Sequence, residues 1–143
     1  MGDNEIVSLN INELNLEKIL PNTENFDNKD QGGSKIVVIG KPGTGKTTLI
    51  TDLLYYKKHI YPTAVVVSGT EDSNGHYSTI FPESFVYNKL ENKIVENFVE
   101  RQKLAKKYLP NPWSILLLDD CTDDPKIFND PLYQGLLKNG RHW

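Results

Sequence analysis

Eight residues constrain this chain more than any others: GKPGTGKT, from Gly40 to Thr47. They fit the spacing G-x-x-x-x-G-K-[ST] and stand between an apolar, β-branched run, KIVVIG (35–40), and a helix-like run, KTTLITDLLYYKKHI (46–60). A strand, a glycine-rich turn and a helix form the context that gives this spacing its meaning. Gly43 and Gly45 let the backbone curl until successive N–H groups point inward at one anion. The helix that follows turns its positive N-terminal end toward the same place. Gly40, Lys41, Pro42, Gly43, Thr44, Gly45, Lys46 and Thr47 are therefore candidate phosphate-binding residues, with Thr48 as a further α-phosphate contact. Lys46 is expected to reach the β- and γ-phosphates of ATP, and the Thr47 hydroxyl to serve as a ligand of Mg²⁺. The plain alternative is a glycine-rich turn with an incidental lysine; eight matching positions in this context weigh against it.

The rest of the pattern supplies a sheet for such a loop. KIVVIG reads as a buried strand, TAVVVSG (63–69) as a second, and SFVYNK (84–89) as a shorter third. TEDSNGHYSTIFPE (70–83) between them is rich in turn residues. ENKIVENFVERQKLAKKYL (91–109) sets Ile94, Val95, Phe98, Val99, Leu104 and Ala105 along one face, an amphipathic helix stopped by Pro110. WSILLLDD (113–120) is another apolar strand, and residues 125–138 read as a short helix with Phe128, Leu132, Leu136 and Leu137 inward, closed by Asn139-Gly140. Strands alternating with helices predict an α/β fold with a mostly parallel sheet flanked by helices. Ahead of it, Leu9 and Ile11 alternate as in a short strand, and PNTENFDNKDQGG reads as a linker. Residues 1–33 are thus expected to form an N-terminal extension, and 34–143 the core.

ILLLDD, Ile115 to Asp120, supplies the second half of a nucleotide site. A strand that ends in an acid places a carboxylate at the carboxyl edge of the sheet, where ligands of α/β proteins bind. Asp119 is the candidate metal acid and Asp120 the candidate general base for the attacking water. The further pair Asp123-Asp124 reads as a helix cap ahead of Pro125. A GTPase should show D-x-x-G and N-K-x-D, but Asp119 leads into Cys121 and Thr122, and Asn88-Lys89-Leu90 ends in Glu91. A small-molecule kinase clamps phosphates with several arginines, and this chain has two, Arg101 and Arg141.

Composition excludes other classes. At 143 residues the chain fits one domain, and no apolar run approaches the roughly 20 residues of a membrane helix. MGDNEIVSLN is not a secretory signal, and Ile6 stands where N-myristoylation expects Ser or Thr. Cys121 is the single cysteine, so a disulfide framework and a cysteine metal site are excluded and a reducing, intracellular compartment is expected. A net charge of −3 gives no bulk electrostatic support for nucleic-acid binding, although a ring-shaped motor can grip DNA with a few loops.

With these motifs in view, the chain resembles the poxvirus-type virion DNA-packaging ATPases of nucleocytoplasmic large DNA viruses, within the FtsK–HerA class. The resemblance is carried by KIVVIGKPGTGKTTLI (35–50), AVVVSGTEDSNGHYSTIFP (64–82), ILLLDDCTDD (115–124) and FNDPLYQGLLKNGRHW (128–143). It implies a RecA-like P-loop ATPase core that uses ATP and Mg²⁺ to drive double-stranded DNA into a capsid. It implies a homo-oligomeric ring, capsid or portal-vertex partners, no membrane anchor, and a place in the host cytoplasm, at the viral factory, or in the virion. In such rings an arginine from a neighbouring subunit can complete the site, which makes Arg141 the catalytic candidate and Arg101 the lesser one, since Arg101 fits a solvated helix face. His142 fits either a γ-phosphate contact or a packed histidine, and His76 and Tyr77 fit a surface loop better than a nucleotide contact. The resembled proteins continue with a strand that carries a polar sensor residue and lies between the KIVVIG and ILLLDD strands. This chain ends before that strand, so its sheet is expected to be incomplete, with KIVVIG unpaired or rearranged and its apolar groups open. Two other readings stay open: an ATP-binding fragment or inactive paralogue that acts as an interaction subunit, and a cellular FtsK–HerA-type translocase.

Overall fold

The structure, a computed structural model, describes residues 33–121 and 124–140. The alternation at Leu9 and Ile11 and nearly all of the proposed extension lie outside the described residues, as do Asp123, Arg141 and His142.

Helix α1 spans Lys46–Lys57, where the helical spacing predicts it, and ends with Lys57 in its last turn, favourable for the helix dipole. Strand β1 (Thr63–Ser68) follows, then a one-turn helix α2 (Glu71–Asn74), two 3₁₀ turns and the two-residue strand β2 (Val86–Tyr87). The long helix α3 (Asn92–Tyr108) leads to β3 (Ser114–Asp119), and a 3₁₀ turn at Pro125–Asn129 precedes α4 (Pro131–Asn139). The fold is α/β: a three-stranded sheet, order β2-β1-β3, with both pairings parallel. Six register pairs join β1 to β3, from Thr63 opposite Ser114 to Ser68 opposite Asp119. Parallel neighbours need a crossover between them, and α3 provides it.

The main hydrophobic cluster lies on one face of the sheet. Val65 and Val67 of β1 pack with Leu90, with Val95, Phe98 and Val99 of α3, and with Tyr133 of α4. Leu116 and Leu118 of β3 join them, as the two-residue strand period requires. The helix stripe Val95, Phe98, Val99, Gln102 keeps the spacing of one helical face. Leu104 lies off that stripe and is exposed, contrary to its expected inward place. Gln102 donates to Pro112 O at 2.8 Å, and Asn111 to Ile60 O at 3.0 Å, tying together the segments that lead into β3 and β1.

Two expectations are corrected. The run predicted as one helix over 125–138 is broken: Pro131 starts α4 afresh, and the Asp130 carboxylate accepts from Leu132 N at 2.8 Å as its N-cap. Phe128, Leu132 and Leu136 still pack inward, whereas Leu137 is exposed. Asp124 caps the preceding turn as expected, accepting from Lys126 N at 2.9 Å. More consequential is KIVVIG, which is neither a strand nor buried: Val37 is 77% exposed and Ile39 90%. Its composition suits a strand, but a strand persists only with a hydrogen-bonded neighbour, and among the described residues none pairs with it. Among the described residues the segment is thus unpaired, with its apolar groups open. Lys35 Nζ donates to Leu137 O, which holds the start of the segment against α4.

At the carboxyl edge β1 and β3 approach until Gly69 N donates to Asp119 O at 3.1 Å. A Cβ at Gly69 would stand 2.1 Å from Asp120 O, so only glycine fits. Gly69→Ala is therefore expected to lower stability by about 1–3 kcal/mol, the usual cost of overpacking against groups that cannot yield; thermal unfolding monitored by circular dichroism checks it.

Candidate functional site

The glycine-rich loop has the backbone that its sequence demands. Thr44 N and Thr44 Oγ1 both donate to Lys41 O, at 3.3 and 2.8 Å, closing a turn. Gly43 and Gly45 take left-handed conformations, φ 75° and 84°, which side chains rarely adopt. Gly45 is the N-cap of α1 and brings no side-chain cap, so no side chain covers the first-turn N–H groups from that position. Lys46 Nζ donates to Gly40 O at 3.0 Å and to Lys41 O at 3.1 Å, which folds the side chain back over the loop. Pro42 lies in the same exposed turn, and Thr47 and Thr48 form the first turn of α1, Thr47 half-buried and Thr48 exposed.

The acid pair ends β3. Asp119 is half-buried, and its Oδ2 accepts a hydrogen bond from Tyr77 Oη at 2.7 Å. Asp120 is exposed and holds φ 42°, a left-handed value unusual outside glycine. Asp tolerates that region better than most residues, and such outliers concentrate at functional sites.

The sequence reading missed the segment that joins the loop to the acid. His76 and Tyr77 do not form a surface loop. Tyr77 is 1% exposed, and His76 is half-buried with its ring edge-on to that of Tyr77, centroids 4.9 Å apart. His76 Nε2 shares a 2.9 Å hydrogen bond with Thr51 Oγ1 on α1, and Thr51 Oγ1 also donates to Thr47 O at 2.8 Å. Buried Glu71 accepts from Tyr77 N at 3.0 Å and from Ser78 N at 2.8 Å, one bond to each carboxylate oxygen. The available signal was position: this loop leaves the carboxyl end of a parallel strand, the ligand edge of such sheets.

Arg101 is corrected too. It is half-buried rather than solvated, its guanidinium lies 5.3 Å from the Phe98 ring centre, and Nε and Nη2 are buried with no hydrogen-bond partner. Burial pulls its pKa below the usual arginine value, while the proximity of Tyr87 opposes that shift. It lines a cavity of about 280 Å³ with Pro62, Thr63 and Trp113, at the edge where β1 and β3 start and Asp119 does not lie.

The curated relatives it matches come from viruses. The chain is 51% identical over 144 residues to the uncharacterized protein 075L of Invertebrate iridescent virus 6, an overlap of 100% of this chain and 54% of that protein. It is 44% identical over 136 residues to the uncharacterized protein 088R of Invertebrate iridescent virus 3, covering 95% of this chain and 52% of the relative. With the uncharacterized protein L437 of Acanthamoeba polyphaga mimivirus it shares 31% identity over 118 residues, 76% of this chain and 41% of the relative. The chain thus spans about half the length of the curated relatives it matches. No protein-family model matches it, and no solved structure does. No helix among the described residues is long and apolar enough to cross a membrane.

The electrostatics of the connecting segment follow from its contacts. Burial, then the hydrogen bond to Asp119 and the surrounding carboxylates, push the Tyr77 hydroxyl far above the usual tyrosine value, so it remains protonated and donates. For Glu71, burial alone would raise the carboxyl, but the hydrogen bonds from Ser78 and Tyr77 and the proximity of His76 outweigh it and hold the group below its ordinary value of 4.5. A carboxyl depressed in the folded state adds stability above its unfolded pKa and loses it as pH falls through the folded one. Thermal unfolding should therefore show the wild-type chain losing stability on acidification below 4.5. Glu71→Gln is expected to cost about 1–3 kcal/mol at neutral pH, by setting an amide donor against a backbone N–H, and to flatten that acid slope.

Proposed function

We propose that this chain is the nucleotide-binding core of an ATP-hydrolysing motor subunit that packages viral double-stranded DNA. The observation that carries the nucleotide part is the loop: Gly43 and Gly45 left-handed, Gly45 capping α1 without a side chain, and Lys46 folded over the turn. That arrangement suits a polyphosphate, with backbone N–H groups and the helix dipole meeting the anion and Lys46 swinging to the β- and γ-phosphates. The DNA-packaging part rests on the resemblance and on the viral origin of the relatives, which favours it over a cellular translocase.

The residues fit Mg²⁺ by donor chemistry. Thr47 offers a hydroxyl and Asp119 a carboxylate, hard oxygens both. Among the described residues no group of three His, Cys, Asp or Glu could hold a metal ion, so phosphate and water must complete the shell, as is usual for this cation. When bound, Mg²⁺ would be held by Thr47 and Asp119 and would supply positive charge that offsets charge developing on the phosphates. In hydrolysis Asp120 takes a proton from water as its oxygen bonds to the γ-phosphorus and the bond to the β-bridging oxygen breaks. Lys46 holds the phosphates in line, and Arg141 supplies positive charge to the site of a neighbouring subunit in a homo-oligomeric ring.

A second reading draws on the exposed 35–40 segment beside the loop, which pairs with no strand among the described residues. In it the chain binds ATP without turnover and serves as an interaction subunit. Binding of a fluorescent ATP analogue and steady-state phosphate release, with and without duplex DNA, separate the two. Lys46→Ala is expected to abolish both binding and release; unchanged binding in that variant overturns the nucleotide reading. Asp119→Ala is expected to keep metal-free binding and to reduce hydrolysis to background. A wild-type chain that binds but releases no phosphate establishes the interaction-subunit reading instead.

A further inference from the structure

The two candidate metal ligands sit on separate elements, Thr47 in the first turn of α1 and Asp119 at the end of β3. A continuous path of short contacts links them. Thr47 O accepts from Thr51 Oγ1 at 2.8 Å, Thr51 meets His76 Nε2 at 2.9 Å, His76 adjoins Tyr77 in sequence, and Tyr77 Oη donates to Asp119 at 2.7 Å. The middle of the path is itself fixed, because both oxygens of Glu71 hold the backbone from which the Tyr77 ring projects.

We propose that residues 71–78 form a strut that sets the Asp119 carboxylate for the metal, with Tyr77 as the positioning residue and the His76–Thr51 bond as its anchor on the phosphate-loop helix. The proposal rests on the reading of Asp119 as the metal acid. A carboxylate at a strand end can rotate about its side-chain torsions and present either oxygen. The hydroxyl of Tyr77 engages Oδ2 and so selects one orientation, while Oδ1 takes no part in that bond. Partners that orient a metal-binding group in this way tune affinity without touching the ion. The alternative is a buried tyrosine that merely satisfies its own hydroxyl, as buried tyrosines usually do. That role affects stability and leaves metal dependence untouched.

The test uses the full chain and a fluorescent ATP analogue, titrated in excess Mg²⁺ and again in EDTA. The ratio of the two affinities is the gain due to metal, which a purely structural tyrosine would not alter. Tyr77→Phe keeps the ring and removes the hydroxyl; it is expected to cut the metal gain about tenfold while affinity in EDTA stays at the wild-type level. Thr51→Val removes the anchor and is expected to lower the gain in the same direction. A full metal gain in Tyr77→Phe overturns the proposal. If circular dichroism shows Tyr77→Phe unfolded, Thr51→Val decides, and a full gain there overturns it equally. A wild-type chain that binds the analogue without any gain from Mg²⁺ overturns the strut together with the metal-acid reading of Asp119, and leaves nucleotide binding standing. A wild-type chain that binds no analogue at all removes the nucleotide reading beneath it, a distinguishable failure.

Discussion

The parallel pairing of β1 with β3 is the constraint on which the remainder of the structure depends. Six consecutive register pairs hold the two strands in step, and Val66 and Val67 in the middle of β1 are fully buried. Because the strands run the same way, the chain must return over one face of the sheet between them, and α3 makes that return. Its stripe of Val95, Phe98 and Val99 then has a destination, the side of the sheet that Val65, Val67, Leu116 and Leu118 present. Parallelism also brings both carboxyl ends to one edge. Gly69 and Asp119 meet there, and without that register the acid would have no fixed place relative to the loop that leaves β1.

The two halves of the candidate site are specified by different physics. The glycine-rich turn is encoded locally, by left-handed glycines and a helix that starts without a side-chain cap. It keeps that form although, among the described residues, the segment before it has no strand partner. The acid half is encoded at a distance. Asp119 owes its position to strand register and its side-chain contact to Tyr77, which owes its own to Glu71. A buried carboxylate is costly unless hydrogen bonds satisfy it, and here two backbone N–H groups do so. The Glu71 carboxylate therefore folds the loop as well as surviving within it.

What could be read from the sequence divides along the same line. Helices α1 and α3 and strands β1 and β3 stand where hydrophobic periodicity and Pro110 place them, because each satisfies its own backbone or finds an apolar neighbour nearby. KIVVIG has a strand's composition, but a strand needs a neighbour that composition cannot supply. The helix expected over 125–138 breaks at Pro131, where the missing N–H and the cap at Asp130 restart it. Arg101 fits a charged helix face by spacing, yet its guanidinium turns over Phe98 into a cleft. Tyr77 was hidden by its company: Glu, Asp, Ser, Asn and Gly around it read as a solvated loop. Only the three-dimensional return of that loop to the end of β3 gives the ring its burial and the hydroxyl its carboxylate.

These observations bear on how the site is held. In a complete parallel sheet, hydrogen bonds from several strands distribute the alignment between a phosphate loop and a metal acid. Among the described residues the 35–40 segment contributes none of that ladder, and side-chain bonds link the loop helix to the end of β3. On the α1 side the link is the His76–Thr51 bond, and on the β3 side the Tyr77–Asp119 bond. Such bonds are individually modest, about 1 kcal/mol net and somewhat more when one partner is charged. The core of Val65, Val67, Phe98 and Tyr133 lies outside this path. The alignment thus depends on bonds outside that cluster: losing the Tyr77 hydroxyl alone would leave the cluster's own contacts in place and remove the bond that holds Asp119.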